Sequence, residues 1–237
     1  MIVRPAGPHI VLKVLWCIYC VRNATELATG DDVAFRINCC YSPAGSTKCI
    51  SCEGNRPCDR PAEGMRGDAY DLSSILAWAS FFWEDNVEQP LDYPKWPPEF
   101  KAAVKVASKK LAKSFEVSEK THRIAHKLIR DKGETPEACI RISEYHQFIM
   151  ERYTLYPNPI KQPETRAGIA EWDAFNCEQG QRLRDGDPGH MAWAVAKQIF
   201  YDSVQRALLE MPLSNAEALS ALQEDFAKSF PVTLHSI

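Results

Sequence analysis

Apolar residues recur every three or four positions through most of the chain beyond residue 68 and hardly at all before it. Leu72, Ile75, Leu76, Ala79 and Phe82 predict an amphipathic helix over residues 70–84, with Asp68 or Asp71 near its start. A proline-rich loop follows at residues 89–98. Pro98 then opens a helix over 99–115 whose apolar stripe is Phe100, Val104, Ala107, Leu111 and Phe115. Ser118 is placed to cap a continuation through Ile124, Leu128 and Ile129, which Gly133 would stop. Thr135-Pro136 starts another helix, with Cys139, Ile142, His146 and Ile149 along one side, the side expected to be core. A short helix is predicted over 169–177, ending before Gly180. A long one over 191–209 carries Trp193, Val195, Ile199, Phe200, Val204 and Leu208 inward. Ser214 and Glu217 form a capping box for a last helix reaching about residue 230. Before residue 65 the pattern predicts only a strand at 33–37 and a turn at 42–45. The expected fold is a small irregular zinc-bound N-terminal module, residues 1–65, plus a mainly α-helical domain, residues 66–237.

Composition changes this picture in one place. The chain is 45% hydrophobic, enough for an ordinary core, and its net charge of -3 favours no class of partner. No apolar run reaches transmembrane length, so no membrane partner is expected. The cysteines are different, because seven of the nine lie between Cys17 and Cys58. Cys17-x-x-Cys20 and Cys49-x-x-Cys52 frame the group, the vicinal Cys39 and Cys40 lie between them, and Cys58 follows. A C-x-x-C step turns two thiolates toward one ion, and two such steps point to a tetrahedral zinc site. Neighbouring side chains on a strand point to opposite faces, so Cys39 and Cys40 should not both reach one ion. One zinc held by Cys17, Cys20, Cys49 and Cys52, and two zincs sharing more of the set, both fit the spacing. The apolar stretch 10–21 follows Arg4 but is interrupted by Lys13, and no clean cleavage site follows. A secreted chain would instead hold disulfides and glycosylate Asn23. The odd cysteine count and the paired C-x-x-C steps favour metal in a reducing compartment.

Taking one cysteine from the vicinal pair, the order Cys17, Cys20, Cys39 or Cys40, Cys49, Cys52, Cys58 resembles the zinc binuclear cluster of fungal transcription regulators. The runs 45–52 (GSTKCISC) and 57–61 (PCDRP) also look like the second half of related fungal cysteine-rich modules. The resemblance implies six thiolates around two zinc ions, a nuclear location and a role in transcription regulation with DNA contact. In that family the loop after the second cysteine is short and basic because it carries the groove-entering helix. Here residues 21–38 carry Arg22 and Arg36 against Glu26, Asp31 and Asp32. A loop with no excess of cations is poorly suited to phosphate.

The positive charge lies elsewhere. Residues 101–132 hold ten basic and three acidic side chains, with Lys101, Lys105, Lys109 and Lys113 stepping by four along one helix face. That face is the candidate nucleic-acid contact, or else a solvated surface or the contact for a protein partner. His122 and His126 have the spacing of a metal-gripping pair, but Arg123 between them repels a cation, and two exposed histidines are expected. The aromatic group Trp78, Phe81, Phe82, Trp83, Tyr93 and Trp96 is expected to join the first helix to the loop after it. The sequence contains no nucleophile elbow, phosphate loop or dinucleotide fingerprint, so no small-molecule substrate and no enzyme activity are expected.

Overall fold

A computed structural model describes residues 10–11, 16–27, 33–41, 48–52, 58–83, 96–128, 135–152 and 180–210. These residues are mainly helical. The predicted helices at 169–177 and 214–230, the stop at Gly133, Tyr93 and Cys177 lie outside them.

Helix α1, Ile18–Glu26, is an element that apolar spacing did not predict. Nine residues make a marginal helix in isolation, and this one depends on its surroundings. Cys17 is its N-cap, in extended conformation, with its sulfur accepting the Cys20 N–H. At its other end the Leu27 carbonyl accepts from Lys109 Nζ at 3.4 Å. Residues 33–37, expected as a strand, have no ladder partner and no regular structure. Ala34, Phe35 and Ile37 are buried there all the same, so burial drives that stretch without pairing. The strand pairing among the described residues is two residues long and antiparallel, Ile10 opposite Tyr41 and Val11 opposite Cys40, in β1 (Ile10–Val11) and β2 (Cys40–Tyr41).

Helix α2, Arg66–Ser80, buries Leu72, Ile75, Leu76 and Ala79 as the periodicity requires and passes into a 3-10 turn, Phe81–Trp83. Phe82 meets Trp78, Trp96 and Phe100 edge-on at 4.9–5.0 Å between ring centroids, a favoured aromatic geometry. Phe82 therefore belongs to the core, with Trp78, Phe81, Trp83 and Trp96 packed half-buried against it.

Helix α3, Pro98–Ala125, is one element of 28 residues where two were predicted. Ser118 is internal and buried and caps nothing. The inward stripe continues past Phe115, but its residues become polar: Ser118, Glu119 and His122 are all buried. Glu119 accepts the Ala62 N–H at 3.1 Å and is paired with Arg123. The helix ends well before Gly133, with His126 as C-cap and Lys127 at φ 53°.

Helix α4, Pro136–Arg152, starts where Thr135 predicts, its Oγ1 accepting the Ala138 N–H at 3.2 Å. Its packed side is not the predicted one. Tyr145 and Ile149 are buried, whereas Cys139 and His146 face solvent and Ile142 is 55% exposed. Helix α5, His190–Leu209, buries Trp193, Ala196, Phe200, Val204 and Leu208 against α3, with Trp193 5.4 Å from Phe115. Val195 and Ile199, expected inside, are 46% and 53% exposed. No helix among the described residues is long and apolar enough to cross a membrane.

One buried cluster runs from Trp16, Cys17 and Val21 through Phe35 and Met65 to Phe115 and Trp193. The cysteine-rich segment and the helices thus share a core. Helix α1 lies on α3, where Arg22 Nε donates to Glu116 Oε1 at 2.6 Å and Lys113 pairs with the other oxygen at 2.6 Å.

Candidate metal centre

Three local structures bring the cysteines together. The start of α1 carries Cys17 as its cap and Cys20 one turn later, so both sulfurs leave the helix on one side. The irregular segment 34–39 ends at Cys39 beside β2, and Cys39 Sγ accepts the Cys17 N–H at 3.4 Å. A 3-10 turn, Ile50–Cys52, folds Cys52 back over Cys49, with the Cys52 N–H donating to the Cys49 carbonyl at 2.9 Å. Cys58 Sγ accepts the Cys49 N–H at 3.3 Å, and the next residue, Asp59, accepts the Ile18 N–H at 2.8 Å. The second half of the module is thereby tied to α1.

The sulfurs form two groups, Cys17, Cys20, Cys39 and Cys49 in one and Cys17, Cys49, Cys52 and Cys58 in the other, each within 4.8 Å. Cys17 and Cys49 belong to both. Sγ–Sγ distances are 3.6 Å for Cys17–Cys49, 3.4 Å for Cys17–Cys52 and 3.6 Å for Cys20–Cys49. A disulfide needs about 2.05 Å, and these thiols are free. A tetrahedron of thiolates with 2.3 Å metal–sulfur bonds has edges of about 3.8 Å. The spacing therefore fits two such tetrahedra sharing the Cys17–Cys49 edge. Cys40 is outside both groups and half-buried, while its neighbour Cys39 is fully buried within one. The β1–β2 pairing fixes which of the two side chains turns inward.

The electrostatics match a site that needs a cation. Hydrogen bonding from Cys20, then from Cys39, pulls the Cys17 thiol far below its ordinary range. The same bond to Cys17 pushes Cys20 up, the Cys17 and Cys20 bonds push Cys39 up, and burial pushes Cys52 up. Without a cation, the thiolate form of Cys17 is favoured at the expense of Cys20, Cys39 and Cys52. A divalent ion takes the place of the thiol protons, and its binding releases them. Backbone N–H groups aimed at Cys17, Cys39 and Cys58 sulfur favour the thiolate form as well.

The basic face of α3 lies beside this module. Lys101, Lys105 and Lys109 are half-buried and Lys113 is exposed. Lys109 reaches the C-terminal end of α1 and Lys113 holds Glu116. Burial pushes Glu116 up, but the pull of Lys113 and Arg22 leaves it below the usual range. Lys110 and Lys120 are exposed along the same helix, and Lys127 is exposed just past its end.

Sequence reasoning missed two buried polar sites. His122, expected at the surface, is fully buried and His126 is half-buried, because Tyr145 and Phe148 of α4 lie over them. Asp68, read as a helix-start residue, is 1% exposed. Its Oδ1 accepts the Trp193 Nε1–H and its Oδ2 the Leu183 N–H, both at 2.8 Å, joining α2 to α5 and to the irregular segment before it.

No family model, no curated protein and no solved structure matches this chain.

Proposed function

We propose that the six thiolates of Cys17, Cys20, Cys39, Cys49, Cys52 and Cys58 hold two zinc ions in a binuclear cluster, and that the chain is a nuclear regulatory protein of the fungal zinc-cluster type. The observation that carries this reading is the membership of Cys17 and Cys49 in both cysteine groups. Sites made only of thiolates leave no open position for water or substrate, so the zinc is structural and the protein works by binding, not catalysis. In this reading the cluster caps α1 and fastens it to α3.

The nucleic-acid contact belongs to α3. The single arginine of α1, Arg22, is held by Glu116 and does not offer its charge to a groove. Lysines along α3 would touch phosphate without reading bases, giving weak binding that falls with salt. A second reading, favoured by the uptake of Lys109 and Lys113 in contacts with Leu27 and Glu116, makes the partner a protein and leaves the lysines structural. Titration of the zinc-loaded full chain with duplex DNA over a salt series separates the two. The first reading predicts salt-sensitive binding that is lost when Lys101, Lys105 and Lys110 are replaced by Gln. No binding at low salt transfers the role to a protein partner. Binding that needs Arg22 or Arg36 and ignores the α3 variant would contradict the assignment to α3.

A further inference from the structure

The junction of α3, α4 and the 3-10 turn Glu63–Met65 is polar at its centre. Tyr145 Oη accepts the Gly64 N–H at 2.8 Å and lies 3.0 Å from His122 Nε2. We assign the Tyr145 O–H as the donor to the ring, which makes Nε2 the acceptor and leaves the imidazole hydrogen on Nδ1. Among the described residues that Nδ1 has no partner and is buried, as is Nε2 of His126, whose ring lies 4.5 Å away. Gly64 is required by this contact: a Cβ there would lie 3.0 Å from Tyr145 Oη, 3.1 Å from His122 Nε2 and 3.2 Å from Ile149 Cδ1. The buried residues of α4 are Tyr145 and Ile149, so this contact helps to seat the helix, beside Phe148 and the Arg152–Asp187 pair.

We propose that the His122–Tyr145–Gly64 bridge is an acid-sensitive latch, closed while His122 is neutral, that releases α4 when a proton is added to His122 Nε2. The added proton turns the acceptor into a donor facing the Tyr145 O–H. The Tyr145 hydroxyl must then swing its hydrogen away from the ring. The carboxylates among the described residues that bear on the charge created are already held by other groups. From α3 it faces His126 and Arg123, with Glu119 committed to Arg123 and to the Ala62 N–H. From α4 it faces Arg152. Asp187, before α5, attracts both rings, and it is held by both Arg152 guanidinium nitrogens and by the Arg184 N–H. From the 3-10 turn, Glu63 faces Tyr145. Burial, then His126, keeps the His122 ring neutral down to about 4.

Hydrogen exchange of the zinc-loaded full chain, corrected for the intrinsic pH dependence of exchange, tests the latch. A ring that titrates near 4 when seated and 6.5 when released raises the opening of α4 on the order of 50- to 100-fold between pH 7.5 and 4.5. Residues 136–152 should show that rise while 190–209 keep their protection, and the rise should vanish in His122→Gln. Residues 18–26 report acid loss of the metal separately. A rise in 136–152 that appears only together with 18–26 and survives in His122→Gln would overturn the latch, as would no rise at all. Should His122→Gln not fold, NMR titration of the His122 ring in the unaltered protein decides: an ordinary imidazole pKa refutes the latch, and one well below 6 upholds it.

Discussion

Replacing Asp68 by Asn tests how the helices are joined. The carboxylate is buried and accepts two hydrogen bonds, one from Leu183 and one from Trp193. Burial pushes its titration up to about 7 from 3.8, against the opposing pull of the Leu183 bond, Lys197 and the Trp193 bond. A folded-state pKa above the unfolded one means that the stabilisation is fully present below about pH 4 and is lost as pH rises through 7. With those two values the native protein loses about 2 kcal/mol relative to a neutral side chain between pH 5.5 and 8. Asn keeps the shape and accepts one bond but turns an N–H toward the other donor, which costs about 2 kcal/mol at every pH. The difference in unfolding free energy between Asp68→Asn and the parent should therefore shift by about 2 kcal/mol in favour of the variant from pH 5.5 to 8. Urea unfolding followed by tryptophan fluorescence measures it. Zinc loss acts on both proteins alike, so the difference reads the carboxylate. A pH-independent difference, or a variant that grows worse toward alkaline pH, would refute the reasoning, because the hydrogen bonds would then outweigh burial.

Gly67→Ala should be destabilising by several kcal/mol, because a Cβ at Gly67 would lie 2.5 Å from the Gly180 carbonyl oxygen, a backbone atom that cannot turn aside; thermal unfolding near that of the parent would contradict the close approach of α2 to residue 180. Cys39→Ser should lower the metal content and loosen α1, whereas Cys40→Ser should leave both unchanged, since only Cys39 stands in a ligand group; elemental analysis of the two variants and exchange of residues 18–26 check this, and equal losses would contradict it.

The helices that were legible in the sequence are those with a sustained apolar stripe, as α2 and most of α5 have, although neither carries a side-chain cap, and Thr135 marks the start of α4. Helix α3 read as two because its inward stripe changes chemistry at Ser118, Glu119 and His122, and a polar residue counts as surface until its buried partner is known. The side of α4 was misread for a related reason. Cys139, Ile142, His146 and Ile149 have helical spacing, but the helix is seated by Tyr145 and Ile149, and Tyr145 earns its burial through Gly64 and His122. Helix α1 carried no readable period because its cap is a cysteine of the candidate metal centre and its other anchors, Glu116 and Lys109, lie more than 80 residues away. The cysteine set itself was legible from the two C-x-x-C steps. Which of Cys39 and Cys40 turns inward was not, since that depends on the pairing of Val11 with Cys40.

The most direct test of the central claim is the number of zinc ions per chain, measured by elemental analysis and native mass spectrometry on protein purified under reducing conditions. Two tetrahedra sharing Cys17 and Cys49 predict two zincs per chain. They also predict that Cys17→Ala disrupts both, while Cys58→Ala, which alters a ligand of one group alone, retains one. A single zinc in the unaltered protein that survives Cys58→Ala would reduce the site to one tetrahedron, and a metal-free chain with these thiols joined as disulfides would contradict the account altogether.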